Sequence, residues 1–465
     1  MFPVRTFMAI LLCYFGLVFP GCTPVVMPDL VGVQREIAEV IVSALGLSLG
    51  AVSEAFDENA PTGEVTTQDP AAGTPILAGA VVRIQVSKGA LVLPEAAISS
   101  DLSHGIEPLL VHFADASAPG SGEVTAWSWD FGDAGSGEAN LSTERHPQHI
   151  YEVAGTYPVT LTVTTPYGSS TASAGVTVTS VAMAPVPAGI FSMGDPWAEG
   201  QADELPVHEI TLSGYEIGLY EVTNQEYADM LNWANLRGYL STASEVRAGA
   251  YGYEILDVDD DTCLIEFVDG KFVPETRDGY SMANHPVLEV VWVGATAYCN
   301  WLSEVQGLEP CYNTDTWECD FTKNGYHLPT EAQWERAAGW DGERHFRFPV
   351  SSDEVTNASA NFENPNPLGL TAWPITTPVG YYAETISPVG CFDMCGNAWE
   401  WCNDSYDTTY YANSPSVDPL GPSASNEKVR RGGGWIYVID ACRTSNRISS
   451  QINTSHDATG FRIAR

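Results

Sequence analysis

The stretch RRGGGWIYVIDACR, residues 430–443, carries a single thiol, Cys442, five residues after Tyr437. Among side chains the thiolate is the strong nucleophile and the soft-metal ligand. One thiol here is therefore either what is left of an oxidising centre or a structural cysteine. Beyond Cys22, seven others accompany it: Cys263, Cys299, Cys311, Cys319, Cys391, Cys395 and Cys402. An even set in an oxidising compartment implies disulfides, whose connectivity spacing alone does not give. His146 and His149 have metal-like spacing, but a site needs three or four ligands and no further pattern accompanies them, so they read as structural. The run DVDDDTC, from Asp257 to Cys263, is rich enough in carboxylates for calcium. It lacks EF-hand spacing and a closing Glu, and reads as a solvated loop. Nothing matches an iron triad, a Ser-His-Asp set or a phosphate-binding glycine loop.

The elements that must position these groups are spread over 465 residues, too many for one core, so two to four domains are expected. Asp and Glu number 59 against 20 Lys and Arg, a formal net charge of -39. Such a surface repels nucleic acid and anionic lipid headgroups, so no nucleic-acid partner is expected, and it suits an extracellular or saline medium. At the start, Arg5 precedes an apolar run from Phe7 to Phe19, then Gly21 and Cys22. The run is too short for a membrane span, and residues 1–22 read as a secretion signal. The segment LVFPGC resembles the lipobox of bacterial lipoproteins, although Phe19 and Pro20 stand where smaller residues are usual. That resemblance implies lipidation of Cys22, with simple cleavage nearby as the alternative. The expected location is exported, at the cell envelope or outside it.

From 25 to 89, a helical pattern (Ile37, Val40, Ile41, Ala44, Leu45, ended by Gly46) is followed by alternating runs near Glu64 to Gln68 and Ala80 to Val86. One helix on a three-stranded sheet, a small α+β unit, is implied. PDLVG, QDPAAGT and VRIQVSKG resemble a PASTA domain, which implies a cell-wall-binding or spacer module. From 93 to 180 the pattern is all strand, arguing for an immunoglobulin-like all-β sandwich. There WSWDFGDAGSGE and HPQHIYEVAGTYPVTLTV resemble a PKD domain, implying extracellular spacing or contact with protein or glycan. Trp129, Phe131 and Tyr157 read as its core, with Asp130 and Asp133 shaping a loop.

The third unit, 182–465, shows helical patterns at Asn224 to Ala234, Gly294 to Glu304 and Thr330 to Ala338, with Thr330 and Gln333 forming a capping box. Elsewhere it reads as short strands and long loops, which need staples. VPAGIFSMGD, EITLSGYEIGLYEVTNQEYADML, HPVLEVVWVGATAYCNWLSE, GYHLPTEAQWERAAG, CGNAWEWC, RRGGGW and ATGFRIAR occur in the order and spacing of the formylglycine-generating enzyme family, the sulfatase-modifying factors. The resemblance implies a mixed α+β domain with little regular secondary structure, distantly related to C-type lectins. Active members oxidise a sulfatase cysteine to formylglycine, using oxygen and a copper(I) ion held between two cysteines. Transferred to this sequence, the serine near oxygen is Gly434, the first copper cysteine is Tyr437, and only the second, Cys442, is present. A phenol is a hard oxygen donor that cannot replace a thiolate on copper(I). Cys442 is accordingly expected in a structural role, paired with Cys402. The resemblance also implies one calcium site at Asp393, Gly396, Ala398 and Glu400, and another beginning at Asn361 and the Phe362 carbonyl, whose expected downstream Asp is replaced near Thr371. Trp399, Trp401 and Trp435 read as core by size. The resulting expectation is a calcium-stabilised binding or recognition module with a cell-wall, glycan or protein ligand. The alternative is the copper-dependent oxidase acting on a sulfatase polypeptide.

Overall fold

The computed structural model describes residues 24–242, 246–248, 252–422 and 425–465; residues 1–22, where a secretion signal and lipidation of Cys22 are expected, lie outside them. Among the described residues no helix is long and apolar enough to cross a membrane.

The first unit packs α1 (Arg35–Ala44) on a three-stranded sheet ordered Ser48–Ala55, Val81–Ser87, Val65–Asp69. The helix ends where Gly46 takes a left-handed φ of +67°, a conformation that favours glycine. The buried stripe is Ala38 and Val42, with Ile41 partly covered. Ile37 and Val40, expected on that stripe, are 56% and 67% exposed. The helix approaches the sheet through its smallest apolar side chain, which rotates the larger ones outward.

The second unit is a sandwich of a five-stranded and a three-stranded sheet. Its long hairpin pairs Gly155–Thr165 with Gly168–Thr179, and the former also pairs with Ala126–Asp130. Trp129 and Phe131 are fully buried, with the Trp129 indole donating to the Glu144 carbonyl at 2.9 Å. Tyr157 is only half-buried because its hydroxyl reaches out to the Val153 carbonyl; Tyr151 fills the interior instead. Asp130 accepts from the Gly132 amide at 2.9 Å, and Asp133 pairs with buried His149 at 3.1 Å. His146 stays exposed, so the two histidines share no site. Ile106 of this unit joins the largest apolar cluster of the third, and Lys271 donates to the Ser100 carbonyl across the junction at 3.4 Å.

The third unit contains α2 (Asn224–Leu236), α3 (Trp292–Val305) and α4 (Glu331–Gly339). Both α2 and α4 begin with capping boxes, Thr223 with Glu226 and Thr330 with Gln333. Its main sheet comprises β1 (Trp399–Ser405), β2 (Glu427–Arg431), β3 (Ile448–Gln451) and β4 (Thr459–Gly460), in the order β3-β2-β1-β4. Between Gly339 and Trp399 the described chain forms neither helix nor named strand. The elements on either side of this irregular chain are tied together by a lattice of buried ion pairs: Arg443 with Glu204, Arg447 with Glu331, Arg431 with Glu335, and Arg462 with Glu400. Buried charges survive only when paired and hydrogen-bonded, and each of these guanidiniums meets its carboxylate through a charge-assisted contact.

Candidate functional site

The turn after β2 is assembled by glycines. Gly432 and Gly433 adopt φ of 97° and 78°, conformations that side chains rarely take. A Cβ on Gly433 would lie 2.6 Å from Cys442 Sγ. The Gly432 carbonyl accepts from Gly396 N–H at 2.8 Å and the Asn397 carbonyl from Trp435 N–H at 2.9 Å, which locks the turn to the 391–400 loop. Gly434, at the expected serine position, lies where a Cβ would meet Ala458 O at 3.2 Å and Trp399 Cδ1 at 3.4 Å. Tyr437 stands edge-on to the Trp399 ring, centroids 5.5 Å apart, and its carbonyl accepts from Glu363 N–H at 2.9 Å. Trp373, half exposed, meets buried Trp435 edge to face.

Cys442 and Cys402 do not meet. Cys402 packs with Cys391 in the cluster beneath α4, whereas Cys442 packs with Phe348, Phe362 and Cys395. Cys395 Sγ shares a hydrogen bond with the Cys442 thiol and lies 4.0 Å from its carbonyl oxygen. The expected Cys402–Cys442 pairing therefore gives way to Cys395 beside Cys442. The thiol hydrogen bond and burial hold Cys395 well above the ordinary thiol range. Both side chains are inaccessible, with Cys442 at 0% exposure. These residues do not fit the copper arrangement: the position after the glycines offers a phenol, and the surviving thiol is sealed away from any substrate. A second thiol does adjoin it, but from the 391–400 loop, a partner visible in the sequence only as the odd residue of DMCGNAWEW.

The carboxylates cluster more tightly than sequence suggested. Glu400 accepts from Arg462 Nε at 2.6 Å, Arg462 Nη2 at 2.7 Å and Trp334 Nε1 at 2.7 Å. Asp393 accepts from Gly380 N–H at 2.5 Å, and burial pushes its carboxyl up to about 6. Glu221, absent from the expected set, holds the same loop. It accepts from Asn397 Nδ2 at 2.7 Å and Ala398 N–H at 2.9 Å. Burial, then the charges of Asp393 and Glu400, raise its carboxyl well above the ordinary range. Its only signal was a charged residue inside the apolar run GLYEVTN. At the second expected site, Asn361 is 1% exposed; its amide donates to the Ile375 carbonyl and Asn397 Oδ1, while its own Oδ1 is buried with no partner. The neighbouring Phe362 carbonyl accepts from Asn357 Nδ2 at 2.5 Å. An orphaned carbonyl oxygen beside further oxygen donors is chemistry that fits a hard cation such as calcium. Thr371 instead donates to Asp278 through amide and hydroxyl, both at 2.7 Å.

In the DVDDDTC loop Asp259, Asp260 and Asp261 are exposed and Asp257 is half-buried, as a solvated loop requires. Asp257, Asp260 and buried Glu289 bring carboxylate oxygens within 4.8 Å of one another, and burial pushes Glu289 up to about 7. Trp399, Trp401 and Trp435 are core, at 1% exposure or less.

The sulfatase-modifying factor enzyme 1-like domain matches residues 169–465, the PKD domain 94–180 and the PASTA domain 25–88. The chain belongs to the sulfatase-modifying factor family. The formylglycine-generating enzyme of Streptomyces coelicolor is 30% identical, covering 60% of this chain and 87% of that protein. The serine/threonine-protein kinase Pkn1 of Chlamydia trachomatis serovar L2 is 32% identical over 60% of this chain but only 37% of its own length. This sulfatase-modifying factor relative thus spans about a third of the curated kinases it matches. Among solved structures, Treponema denticola variable protein 1 is 24% identical with a TM-score of 0.44, covering 61% of this chain and 94% of that one.

Proposed function

We propose that this sulfatase-modifying factor relative is an exported, envelope-associated recognition protein whose third domain binds rather than oxidises. The observation that carries this reading is the pairing of Tyr437, placed against Trp399 where the family holds a copper thiolate, with Cys442 sealed beside Cys395. Oxidation of a substrate cysteine through copper(I) needs two accessible soft ligands and an open position. PASTA and PKD domains ahead of the third suit extracellular spacing and contact with cell wall, glycan or protein. Calcium at Asn361, Phe362, Asp393, Gly396, Ala398 and Glu400 would tie the strandless chain between α4 and β1 to the start of β1. The ion's contribution there is neutralisation and oxygen coordination; the chain's own residues, Glu221, Asn397 and Arg462, fix the loop.

The test is an assay of the purified protein with copper(I), oxygen and a sulfatase-derived cysteine peptide, read by mass spectrometry. No formylglycine above a Cys442→Ala control is expected. Conversion above that control would establish the oxidase instead.

A further inference from the structure

A cavity of about 420 Å³ opens between the start of α3, the 316–321 loop and strands β1 and β2. None of Tyr437, Cys442, Asn361 or the Asp393–Glu400 residues lines it. Its size lies in the range of small-ligand sites.

Three features make it a built site rather than a surface dent. Lys428 enters from β2, its ammonium 4.1 Å from the centre of the Trp292 ring, and donates to the Asn403 carbonyl at 2.8 Å. Among the described residues it forms no ion pair, although the chain carries a net charge of -39. The carboxyl of Asp404 acts on it without an ion-pair contact, and of its three N–H donors the one given to the Asn403 carbonyl is the one engaged. Trp317 is 6% exposed, adopts a left-handed φ of 58° and keeps its indole N–H without an acceptor. Buried donors are seldom left unsatisfied, so this one marks a place for an acceptor. Finally, the remaining walls combine aromatic Phe321 and apolar Leu420, Pro422 and Ile452 with polar Asn403, Ser405 and Asn426 and one carboxylate, Glu318.

We propose that this cavity binds a carboxylate-bearing sugar, a hexuronic acid unit of a glycan. The carboxylate would meet Lys428, which a charge-assisted hydrogen bond makes the main anchor. The ring's C–H face suits the aromatic walls, and its hydroxyls suit amides and hydroxyls that both donate and accept. A peptide carboxylate could also reach Lys428 and set apolar side chains on Leu420, Pro422 and Ile452. The hydroxyl-matching groups Thr316, Asn403, Ser405, Glu318 and Asn426 outnumber those apolar contacts and favour a sugar, a choice that N-acetylglycine tests. The inference goes beyond the recognition reading, because the cavity is separate from the Tyr437 face and would bind its ligand equally well in an oxidase.

Titration calorimetry of the full protein with D-glucuronate, D-glucose and N-acetylglycine tests it. Saturable glucuronate binding is expected, at least tenfold tighter than glucose or N-acetylglycine. Lys428→Gln should weaken it at least tenfold, and Asn426→Ala, at the exposed rim, several-fold. Should Lys428→Gln fail to fold, shown by a lost thermal transition, Asn426→Ala and Trp317→Phe decide. No saturable glucuronate binding, equal binding of glucose, tighter binding of N-acetylglycine, or affinity untouched by all three variants would each overturn the proposal. The oxidase assay is unaffected by any of these results.

Discussion

Replacing Arg462 by methionine tests whether the 391–400 loop stands on one guanidinium. Arg462 and Glu400 are both fully buried. The guanidinium spends two bonds on Glu400 and donates to the carbonyls of Gly218 at 2.9 Å, Leu219 at 3.3 Å and Phe392 at 2.9 Å. Its charge also faces Glu221 and Asp393. Methionine fills similar space but, in calcium-free buffer, leaves Glu400 with no cation and only the Trp334 indole as donor, which costs about 3–5 kcal/mol for a buried carboxylate. The three carbonyls add on the order of 1 kcal/mol each. A loss of about 5 kcal/mol or more is therefore expected, a large part of the ~5–15 kcal/mol that stabilises a domain. Urea unfolding followed by tryptophan fluorescence measures it, since all but Trp127 and Trp129 of the thirteen tryptophans lie in the third domain. The double change Arg462→Met, Glu400→Gln should recover part of the loss by removing the stranded charge. A loss below about 1.5 kcal/mol in the single variant would refute the reasoning, because the carboxylate would then be shown to rely on something other than Arg462.

Three further outcomes are expected. Calcium should raise the melting temperature of the third domain, and Asn361→Leu should abolish that rise; an equal rise in the variant would place the ion elsewhere. Peptide mapping of protein secreted into an oxidising compartment should find links between Cys395 and Cys442 and between Cys311 and Cys319, whose thiols already share hydrogen bonds. A Cys402–Cys442 link would contradict the fold. The third concerns pH. Burial pushes Asp229 and Asp404 up to about 7, so their protonated forms are favoured in the fold, a contribution complete below their ordinary value near 3.8 and lost as pH rises through 7. Burial holds His285, His327 and His456 down at about 4, a contribution lost as pH falls below 6.5. Burial raises Glu289 to about 7 and Asp393 to about 6 in the same direction, so the melting temperature should rise from pH 8.5 to 6.5 and climb more shallowly toward pH 4.5, where the histidine losses offset most of the carboxyl gain; a monotonic fall on acidification from pH 8.5 would contradict these environments.

Local signals carried a good deal of this architecture. The helix start at Thr330 is written as a four-residue capping box, and the strand alternation of the sandwich is a period-two pattern, so both are legible without knowing what they pack against, whereas the matching box at Thr223 with Glu226 emerged only in the fold. Tyr437 and Gly434 could likewise be placed by counting from Gly432 and Gly433, because a glycine turn fixes the offset of whatever follows it. Which stripe of α1 is buried was not legible, since Ala38 and Ile37 are neighbours in sequence and only the depth of the sheet's groove chooses between them. Nor were the thiol partners. Cys395 and Cys442 are separated by the whole of β1 and β2, and their meeting depends on the Gly396 to Gly432 contact that folds one loop against the other. The same holds for Glu221 and Arg462, whose charges converge on Glu400 from opposite ends of the third domain. Sequence by itself determined the domain order, the helix starts and the identity of the residue at each motif position, because these rest on local chemistry and spacing. Only the tertiary structure decided which thiols, carboxylates and aromatic faces share a volume, because burial and pairing are set by chain segments hundreds of residues apart.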